Sequence, residues 1–224
     1  MINTILFDMD GLLVDSEPLW KIAEKKVFGA LGLNLNDELL RQVMGFRLNE
    51  VVAYWYAYQP WPEPNFTQTE EDIICCMEEL LAEKAVALPG VLESLNYVQA
   101  NDYKTALASS SSMRLIEVVV NKLNIKSYFN LLYSAESEPY GKPHPGIFIS
   151  AAKLLGSDQN QCLVVEDSIN GVIAAKAAKM LCVAVPEAEK QNDLRFAIAD
   201  YKLQTMETFP AILREIGGTN NPNF

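Results

Sequence analysis

The feature that most constrains the fold of this chain is a short apolar run near the N-terminus, which ends abruptly at two carboxylates and a glycine. Residues 4–11 read TILFDMDG. An uninterrupted apolar run bounded by a glycine predicts a buried strand. The strand delivers Asp8 and Asp10 to its carboxyl end, where ligands bind in open α/β sheets. We therefore expect a sheet organised around this strand.

The spacing of the two aspartates has a chemical meaning. Side chains alternate faces along a strand, so Asp8 and Asp10 point the same way if the strand geometry continues through Met9. Two like charges this close are costly, and a divalent cation with oxygen ligands is the usual compensation. The alternative interpretation is a solvated turn, because Asp10-Gly11 is also a hairpin signal.

Composition excludes several classes of function. The chain has 224 residues, half of them hydrophobic, which is enough for one sizeable core and a smaller second unit. A formal net charge of -11 repels nucleic acid and anionic membranes, so we expect neither as a partner. No apolar run approaches the roughly twenty residues of a membrane span, and no signal-like pattern opens the chain. We expect a cytoplasmic protein, either a monomer or a weak homodimer.

Cysteine and histidine usage limits the chemistry further. Cys75 and Cys76 are adjacent in a helical pattern, whereas Cys162 and Cys182 lie in apolar, strand-like runs. No C-x-x-C spacing occurs, which favours reduced, structural thiols. His144 is the only histidine, so a His-rich zinc site is excluded and catalysis has to rest mainly on carboxylates.

The sequence from residue 16 to residue 86 carries only helical patterns. Four helices are predicted, beginning near residues 16, 36, 49 and 67 and ending near residues 31, 44, 58 and 84. Ser16 or Asp15 is expected to cap the first, Asn36 to cap the second, and Thr67-x-x-Glu70 to form a capping box for the fourth.

An aromatic cluster lies between the third and fourth of these helices. It consists of Trp55, Tyr56, Tyr58 and Trp61. Such rings can line a pocket for a sugar-like ligand, but they more often form core, and we favour core.

From residue 88 onward, strands alternate with helices. The predicted strands span residues 104–108, 131–134, 162–165 and 181–185, and the predicted helices span 91–100, 113–123, 146–155 and 169–178. This alternation implies right-handed crossovers and a parallel sheet covered on both faces. Because the first strand has no partner in the helical block, it joins this sheet. The predicted fold is an α/β core (1–15 and 87–216), a helical insertion (16–86) and a flexible tail (217–224).

Three further strand or loop ends carry polar groups suited to one site. Ser109 to Ser112 follow the strand 104–108 and supply hydroxyls and backbone N–H groups that suit a phosphate. Lys142 lies in a loop rich in glycine and proline, and Glu166 and Asp167 follow the strand 162–165. Each has an ordinary explanation: helix capping, a solvated lysine or a helix start. Together with the two aspartates they predict a magnesium and phosphate site.

In order and context, these residues match the four motifs of a known superfamily. Asp8-Met9-Asp10-Gly11, Ser109, Lys142 and Glu166-Asp167 resemble the motifs of the haloacid dehalogenase phosphohydrolases, and the resemblance covers nearly the whole chain. The helical block is similar to the small cap that this superfamily inserts after its first motif, on a Rossmann-like core. The stretches DGLLVDSEP, ASSS and KPHP resemble the branch of β-phosphoglucomutase and the small sugar-phosphate phosphatases.

The resemblance implies a Mg²⁺-dependent phosphatase for small sugar or sugar-alcohol phosphates, such as 2-deoxyglucose 6-phosphate. Asp8 would attack phosphorus to give an aspartyl-phosphate, and Asp10 would act as the acid and base. The implied metal ligands are Asp8, the Asp10 carbonyl and Asp167, with Glu166 as a direct ligand or a neighbour of one. The implied phosphate-binding groups are Ser109, Ser110 and Lys142.

One position departs from the mutase branch, which presents a histidine at about the place of Trp20. The expected ligand-facing cation of the cap is Arg47. Both features favour a monophosphatase over β-phosphoglucomutase-type transfer, which stays as the alternative. A receiver-like phosphoacceptor module is a further alternative, but it has no need of Asp10 as an acid and base, or of the helical block.

Overall fold

The computed structural model describes residues 1–43 and 45–218. Its strands are β1 Thr4–Phe7, β2 Lys104–Ser109, β3 Leu131–Ser134, β4 Cys162–Glu166, β5 Leu181–Ala184 and β6 Tyr201–Lys202. Its α-helices are α1 Glu17–Ala30, α2 Asp37–Leu40, α3 Leu48–Tyr58, α4 Phe66–Lys84, α5 Val91–Ala100, α6 Met113–Lys122, α7 Gly146–Leu154, α8 Ile169–Ala177 and α9 Phe209–Gly218. None of these helices is both long and apolar enough to cross a membrane.

The strands form one parallel sheet in the order β3-β2-β1-β4-β5-β6. The first strand lies in the middle, where Phe7 is in register with Leu107 of β2 and Val165 of β4. Four predicted strands after residue 88 are present within one residue of their expected ends. The two-residue strand β6 and the helix α9 were not predicted.

Both faces of the sheet are covered, because successive side chains of each strand point to opposite sides. On β1, Ile5 and Phe7 face a core that includes α5, α6 and α9, whereas Leu6 faces a second core that includes α7 and α8. All five residues of β4 are buried, which explains why the strand reads as a continuous apolar run up to Glu166.

Residues 17–84 contain α1 to α4, and no strand occurs in the part of this segment that the structure describes. The two tryptophans of the aromatic cluster, Trp55 and Trp61, are buried, as expected for core. Tyr56 is half-buried, but Tyr58 is 57% exposed, so the expectation of core is wrong for that ring.

The second helix is shorter than predicted. Asn36 caps it as expected, since its side chain accepts a hydrogen bond from the Leu39 N–H at 2.9 Å. The α-helix ends at Leu40 and continues as a 3₁₀ turn over Arg41–Val43. Its predicted last residue, Met44, lies outside the described residues.

The capping box predicted from Thr67 and Glu70 is wrong. Helix α4 begins at Phe66, and Asn65 is its cap, accepting a hydrogen bond from the Gln68 N–H at 3.1 Å. Asparagine is among the strongest N-cap residues, so the chain uses it in preference to a threonine two positions later.

The predicted tail is partly wrong. Helix α9 extends to Gly218, so the first two residues of the segment 217–224 are helical, while residues 219–224 lie outside the described part of the chain. Phe209 and Leu213 anchor this helix because they are buried in the core that also holds α5.

The cysteines are all free. Three of them, Cys76, Cys162 and Cys182, are buried, as expected of structural thiols. Cys75 is exposed, because the residue next to it on α4 takes the inward-facing position.

Candidate active site

The polar residues predicted from the sequence meet at the carboxyl edge of the sheet. Asp8 and Asp10 follow β1, Ser109 ends β2 and Glu166 ends β4. A cavity of about 340 Å³ opens above this edge, and residues of α1, α3 and α4 form its other wall. The predicted site residues that line it are Asp8, Asp10, Arg47, Ser109, Ser110, Lys142 and Asp167. Glu166 does not line the cavity, because it is fully buried beneath it.

The loop before α7 aims Lys142 inward, where the residue is almost fully buried. Its Nζ atom lies 2.6 Å from Asp8 Oδ1 and 2.5 Å from Glu166 Oε1, and it also donates to the Ala108 carbonyl at 3.3 Å. Burial alone lowers the pKa of Lys142, but the charges of Asp8 and Glu166 raise it above its ordinary value. The ammonium therefore stays charged.

Three buried carboxylates surround this ammonium. Asp8, Glu166 and Asp167 each offer an oxygen, and these oxygens lie within 4.8 Å of one another. Burial, with repulsion from the neighbouring acids, raises the pKa of Asp8 to about 7 and that of Asp167 well above its ordinary value. One lysine cannot neutralise three acids, so the cluster has the donor type and the charge deficit that suit Mg²⁺.

Glu166 is the most constrained of the three acids. Its Oε1 atom accepts from Lys142, and its Oε2 atom accepts from both the N–H and the hydroxyl of Ser168 at 3.0 Å. Helix α8 packs directly on this carboxylate at Gly171. A Cβ atom at this position would lie 1.8 Å from Oε1, so only glycine allows the contact. The geometry therefore favours Glu166 as the residue that positions Lys142.

Asp10 is held by four donors rather than by the acid cluster. Its Oδ1 atom accepts from Ser16 Oγ at 2.6 Å and from Trp20 Nε1 at 3.1 Å. Its Oδ2 atom accepts from Ser111 Oγ at 2.7 Å and from Ser109 Oγ at 3.3 Å. Of these donors, Ser109 and Ser111 belong to the serine run predicted to bind phosphate, whereas Ser16 and Trp20 were not predicted as site residues. Ser16 stands at the N-cap position of α1, as predicted, but its side chain does not cap the helix.

The four serines at the end of β2, Ser109 to Ser112, have different tasks. Ser109 Oγ accepts from the Ser111 N–H at 3.0 Å, which folds the turn, and Ser112 caps α6 by accepting from the Leu115 N–H at 3.5 Å. Ser110 Oγ is buried, and no described residue is its hydrogen-bond partner. A buried, unpaired hydroxyl is costly, and a phosphate oxygen in the cavity is the kind of acceptor that it lacks.

Arg47, predicted as the ligand-facing cation of the cap, lines the cavity, but its charge is already paired. Its guanidinium lies 2.9 Å from Glu50 Oε1 and donates to the Glu138 carbonyl at 3.0 Å and the Pro139 carbonyl at 3.4 Å. These bonds tie the start of α3 to the loop that carries Lys142. The arrangement favours a structural role for Arg47 because a carboxylate already neutralises its charge.

Comparison with known proteins identifies the class. The model of the haloacid dehalogenase-like hydrolase family matches residues 5–185, which is most of the chain. The chain therefore belongs to this family. The predicted superfamily, the Rossmann-like fold and the prediction that the chain is an enzyme are confirmed. This membership argues against the alternative that the chain is a receiver-like phosphoacceptor module.

Individual relatives agree with this class. The chain is 41% identical over 207 residues to hexitol phosphatase B of Escherichia coli strain K12, which covers 92% of this chain and 93% of the relative. The fold is similar to CbbY from Rhodobacter sphaeroides, solved with phosphate, with a TM-score of 0.85, 26% identity and coverage of 92% and 96%. A β-phosphoglucomutase from Clostridium difficile has the same TM-score at 24% identity, with coverage of 97% and 98%, a likeness of fold alone.

Proposed function

We propose that this protein is a Mg²⁺-dependent phosphatase for monophosphates of small sugars or sugar alcohols. The observation that carries the proposal is the position of Asp8, which lines the cavity with its Oδ1 atom 2.6 Å from the buried Lys142 ammonium. The pairing leaves the second oxygen of Asp8 available to attack a phosphoryl group. The name of the relative hexitol phosphatase B, which aligns over 93% of its length, supports the substrate class.

In this proposal Asp8 and Asp167 hold the metal, with the predicted contribution of the Asp10 carbonyl. When bound, Mg²⁺ supplies the positive charge that the buried acids lack and polarises the phosphoryl oxygens. Lys142 adds a fixed ammonium beside the transferred group, and Ser110 offers its unpaired hydroxyl and its N–H to the phosphoryl oxygens. Ser109 contributes by shaping the turn and by bonding to Asp10.

The reaction has two covalent steps. An oxygen of Asp8 bonds to phosphorus as the bond from phosphorus to the leaving oxygen breaks, and Asp10 gives its proton to that oxygen. Water then gives a proton to Asp10 as its oxygen bonds to phosphorus, and the bond from phosphorus to the Asp8 oxygen breaks, which releases phosphate and restores the Asp8 carboxylate. Three of the four donors around Asp10 are serine hydroxyls, which can turn and accept a bond when Asp10 carries the proton.

The division of the chain is part of the proposal. We assign residues 1–15 and 87–216 to a catalytic core and residues 16–86 to a cap that closes over the substrate. The cavity supports this division because its walls come from both segments. Closure would exclude bulk water from the aspartyl-phosphate.

The test is phosphate release over a panel of sugar, sugar-alcohol and other phosphate monoesters, with and without EDTA. We expect release that EDTA abolishes and that Asp8→Asn abolishes. Asp10→Asn should bind substrate but turn over slowly. Metal-independent release, or normal turnover by Asp8→Asn, would overturn the proposal. So would equimolar conversion of β-glucose 1-phosphate to glucose 6-phosphate without phosphate release, which is the mutase outcome.

A further inference from the structure

A buried acid of the cap has no task in the chemistry described above. Glu24 lies on α1, is 8% exposed and lines the same cavity as Asp8. Its Oε2 atom is buried, and no described residue is its hydrogen-bond partner. A buried polar atom is costly to leave unpaired. The buried Trp55 Nε1 atom, which acts on the Glu24 carboxyl, also has no described partner, and a hydroxyl in the cavity would complete the hydrogen bonds of this carboxyl.

The face of α1 that carries Glu24 is directed at the cavity as a unit. Glu17, Lys21 and Glu24 follow one another at helical spacing, and all three line the cavity, as does Glu70 of α4. Lys21 pairs with Glu17 at 3.1 Å. This wall is therefore polar, and its acids outnumber its cations.

The cations that line the described part of the cavity are already neutralised. Lys21 pairs with Glu17, Arg47 with Glu50, and Lys142 with the acids at the sheet edge. A second phosphate or a carboxylate on the substrate would find no unpaired positive charge on this described lining and would be repelled by its unpaired acid Glu70. A neutral leaving group would meet no such repulsion.

The protonation of Glu24 fits a hydroxyl partner. Burial, together with repulsion from Glu17, raises the pKa of Glu24 to about 8, although the interaction of its carboxyl with the Trp55 indole N–H acts to lower it. The carboxyl is therefore mostly neutral at pH 7. A neutral carboxyl both donates and accepts, as does an alcohol, so the two groups are complementary.

We propose that Glu24 hydrogen-bonds a hydroxyl of the leaving alcohol and that the cap wall selects uncharged, polyhydroxylated leaving groups over anionic ones. This inference rests on the proposed phosphatase function. It adds that the cap recognises the hydroxyl groups of the substrate. A site built to bond a hydroxyl discriminates against substrates that lack it, because its buried polar atom is then left unpaired.

The experiment compares Glu24→Leu and Glu24→Gln with the wild type on glucitol 6-phosphate and p-nitrophenyl phosphate, which lacks hydroxyls. For Glu24→Leu we expect kcat/KM to fall at least about tenfold on glucitol 6-phosphate, mainly through KM, and less than about threefold on p-nitrophenyl phosphate. Glu24→Gln keeps a donor and an acceptor and should retain most of the activity. Glu79→Leu, the same change at an exposed position of α4, is the matched control and should leave kcat/KM on both substrates unchanged.

The wild type is also compared on phosphoglycolate, whose leaving group is anionic. We expect kcat/KM at least about tenfold below that for glucitol 6-phosphate. Equal activity on the two, or an equal effect of Glu24→Leu on both glucitol 6-phosphate and p-nitrophenyl phosphate, would overturn the inference. If circular dichroism shows that Glu24→Leu does not fold, the preference of the wild type for glucitol 6-phosphate over phosphoglycolate decides whether the inference stands.

Failure of the inference and failure of the proposed function are distinguishable. Asp8-dependent release from p-nitrophenyl phosphate supports the phosphatase function whatever Glu24 does. Absence of Asp8-dependent release from every ester tested would overturn both.

Discussion

Single residues decide whether the acid cluster can exist in a folded protein. Asp8 and Glu166 are buried against one ammonium, and each pairing is a direct hydrogen bond of 2.6 Å or less. Burying such charges is tolerable only because each has a partner in contact. Lys142 therefore serves the stability of the site and its chemistry at the same time.

Replacing Lys142 with methionine tests both tasks. The variant leaves two buried carboxylates without their cation, so we expect a loss of about 3–5 kcal/mol of unfolding free energy. Because the ammonium also faces the proposed phosphoryl site, kcat should fall by about 10²-fold or more. Urea unfolding and phosphate release measure the two effects.

Lys153→Met, an exposed position of α7, is the control. It should change neither quantity. A Lys142→Met variant that keeps wild-type stability would show that the acids are not charged when the protein folds.

Trp20 offers a second prediction at this scale. Its indole N–H donates to Asp10 Oδ1 at 3.1 Å, and Trp20→Phe removes this donor but keeps an aromatic ring. Hydrogen bonds to charged groups contribute about 1.5–3 kcal/mol, so we expect kcat to fall by about tenfold if the bond positions Asp10. Steady-state kinetics on one sugar phosphate measures the change. An unaltered kcat would mean that the serine hydroxyls hold Asp10 without help.

At the scale of the elements, glycines set how closely a helix can approach its neighbours. Helix α5 begins after Gly90, whose φ is +81° and whose absent Cβ would lie 2.1 Å from the Glu207 backbone nitrogen. Both the left-handed conformation and the close contact with backbone require glycine. The start of α5 is thereby fixed to the segment before α9.

Gly90→Ala should destabilise the protein by at least about 2 kcal/mol, because the left-handed conformation alone costs about 1–2 kcal/mol and the contact adds to it. Gly29→Ala is the matched control. Nothing lies within 4 Å of its Cβ position in α1, and alanine there should stabilise by roughly 0.5–1 kcal/mol. Thermal unfolding measures both variants. Equal effects of the two changes would refute the contact.

The two elements that were not predicted differ in the local signal that they carry. Helix α9 was not predicted, although Phe209, Ile212, Leu213 and Ile216 have helical spacing that a periodicity count detects. Strand β6 carries no such signal. It has two residues, and only pairing with Val183 and Ala184 of β5 makes them a strand.

At the scale of the whole molecule, the buried acids make stability depend on pH. Glu24 has a pKa of about 8 in the folded protein against an ordinary value of 4.5. Between these values the folded state holds a proton that the unfolded state has released. Stability therefore falls as pH rises through this window.

Glu24→Gln removes this titration. We expect the unfolding free energy of the variant, relative to the wild type, to increase from about pH 5 to about pH 9. Urea unfolding at several pH values measures the difference, and the comparison cancels the titration of Asp8 and Asp167. A constant difference across the range would show that Glu24 is ionised in the folded protein.

By itself, the sequence determined the parallel sheet and the groups at its carboxyl edge. Buried parallel strands read as uninterrupted apolar runs, so the polar residues that end them stand out, as Asp8, Ser109 and Glu166 do. Strand ends of one parallel sheet share an edge, which brings these residues together without knowledge of any contact.

Only the tertiary structure decided the partners of each side chain. It joins Ser16 and Trp20 to Asp10, bonds Arg47 to the carbonyls of Glu138 and Pro139, and turns Glu24 toward the cavity. From the sequence, Ser16 was predicted as a helix cap and Arg47 as a ligand-facing cation, and no role was predicted for Glu24. The reason is physical: periodicity encodes which face of an element is buried, whereas the partner of a polar group depends on elements that folding brings together from elsewhere in the chain.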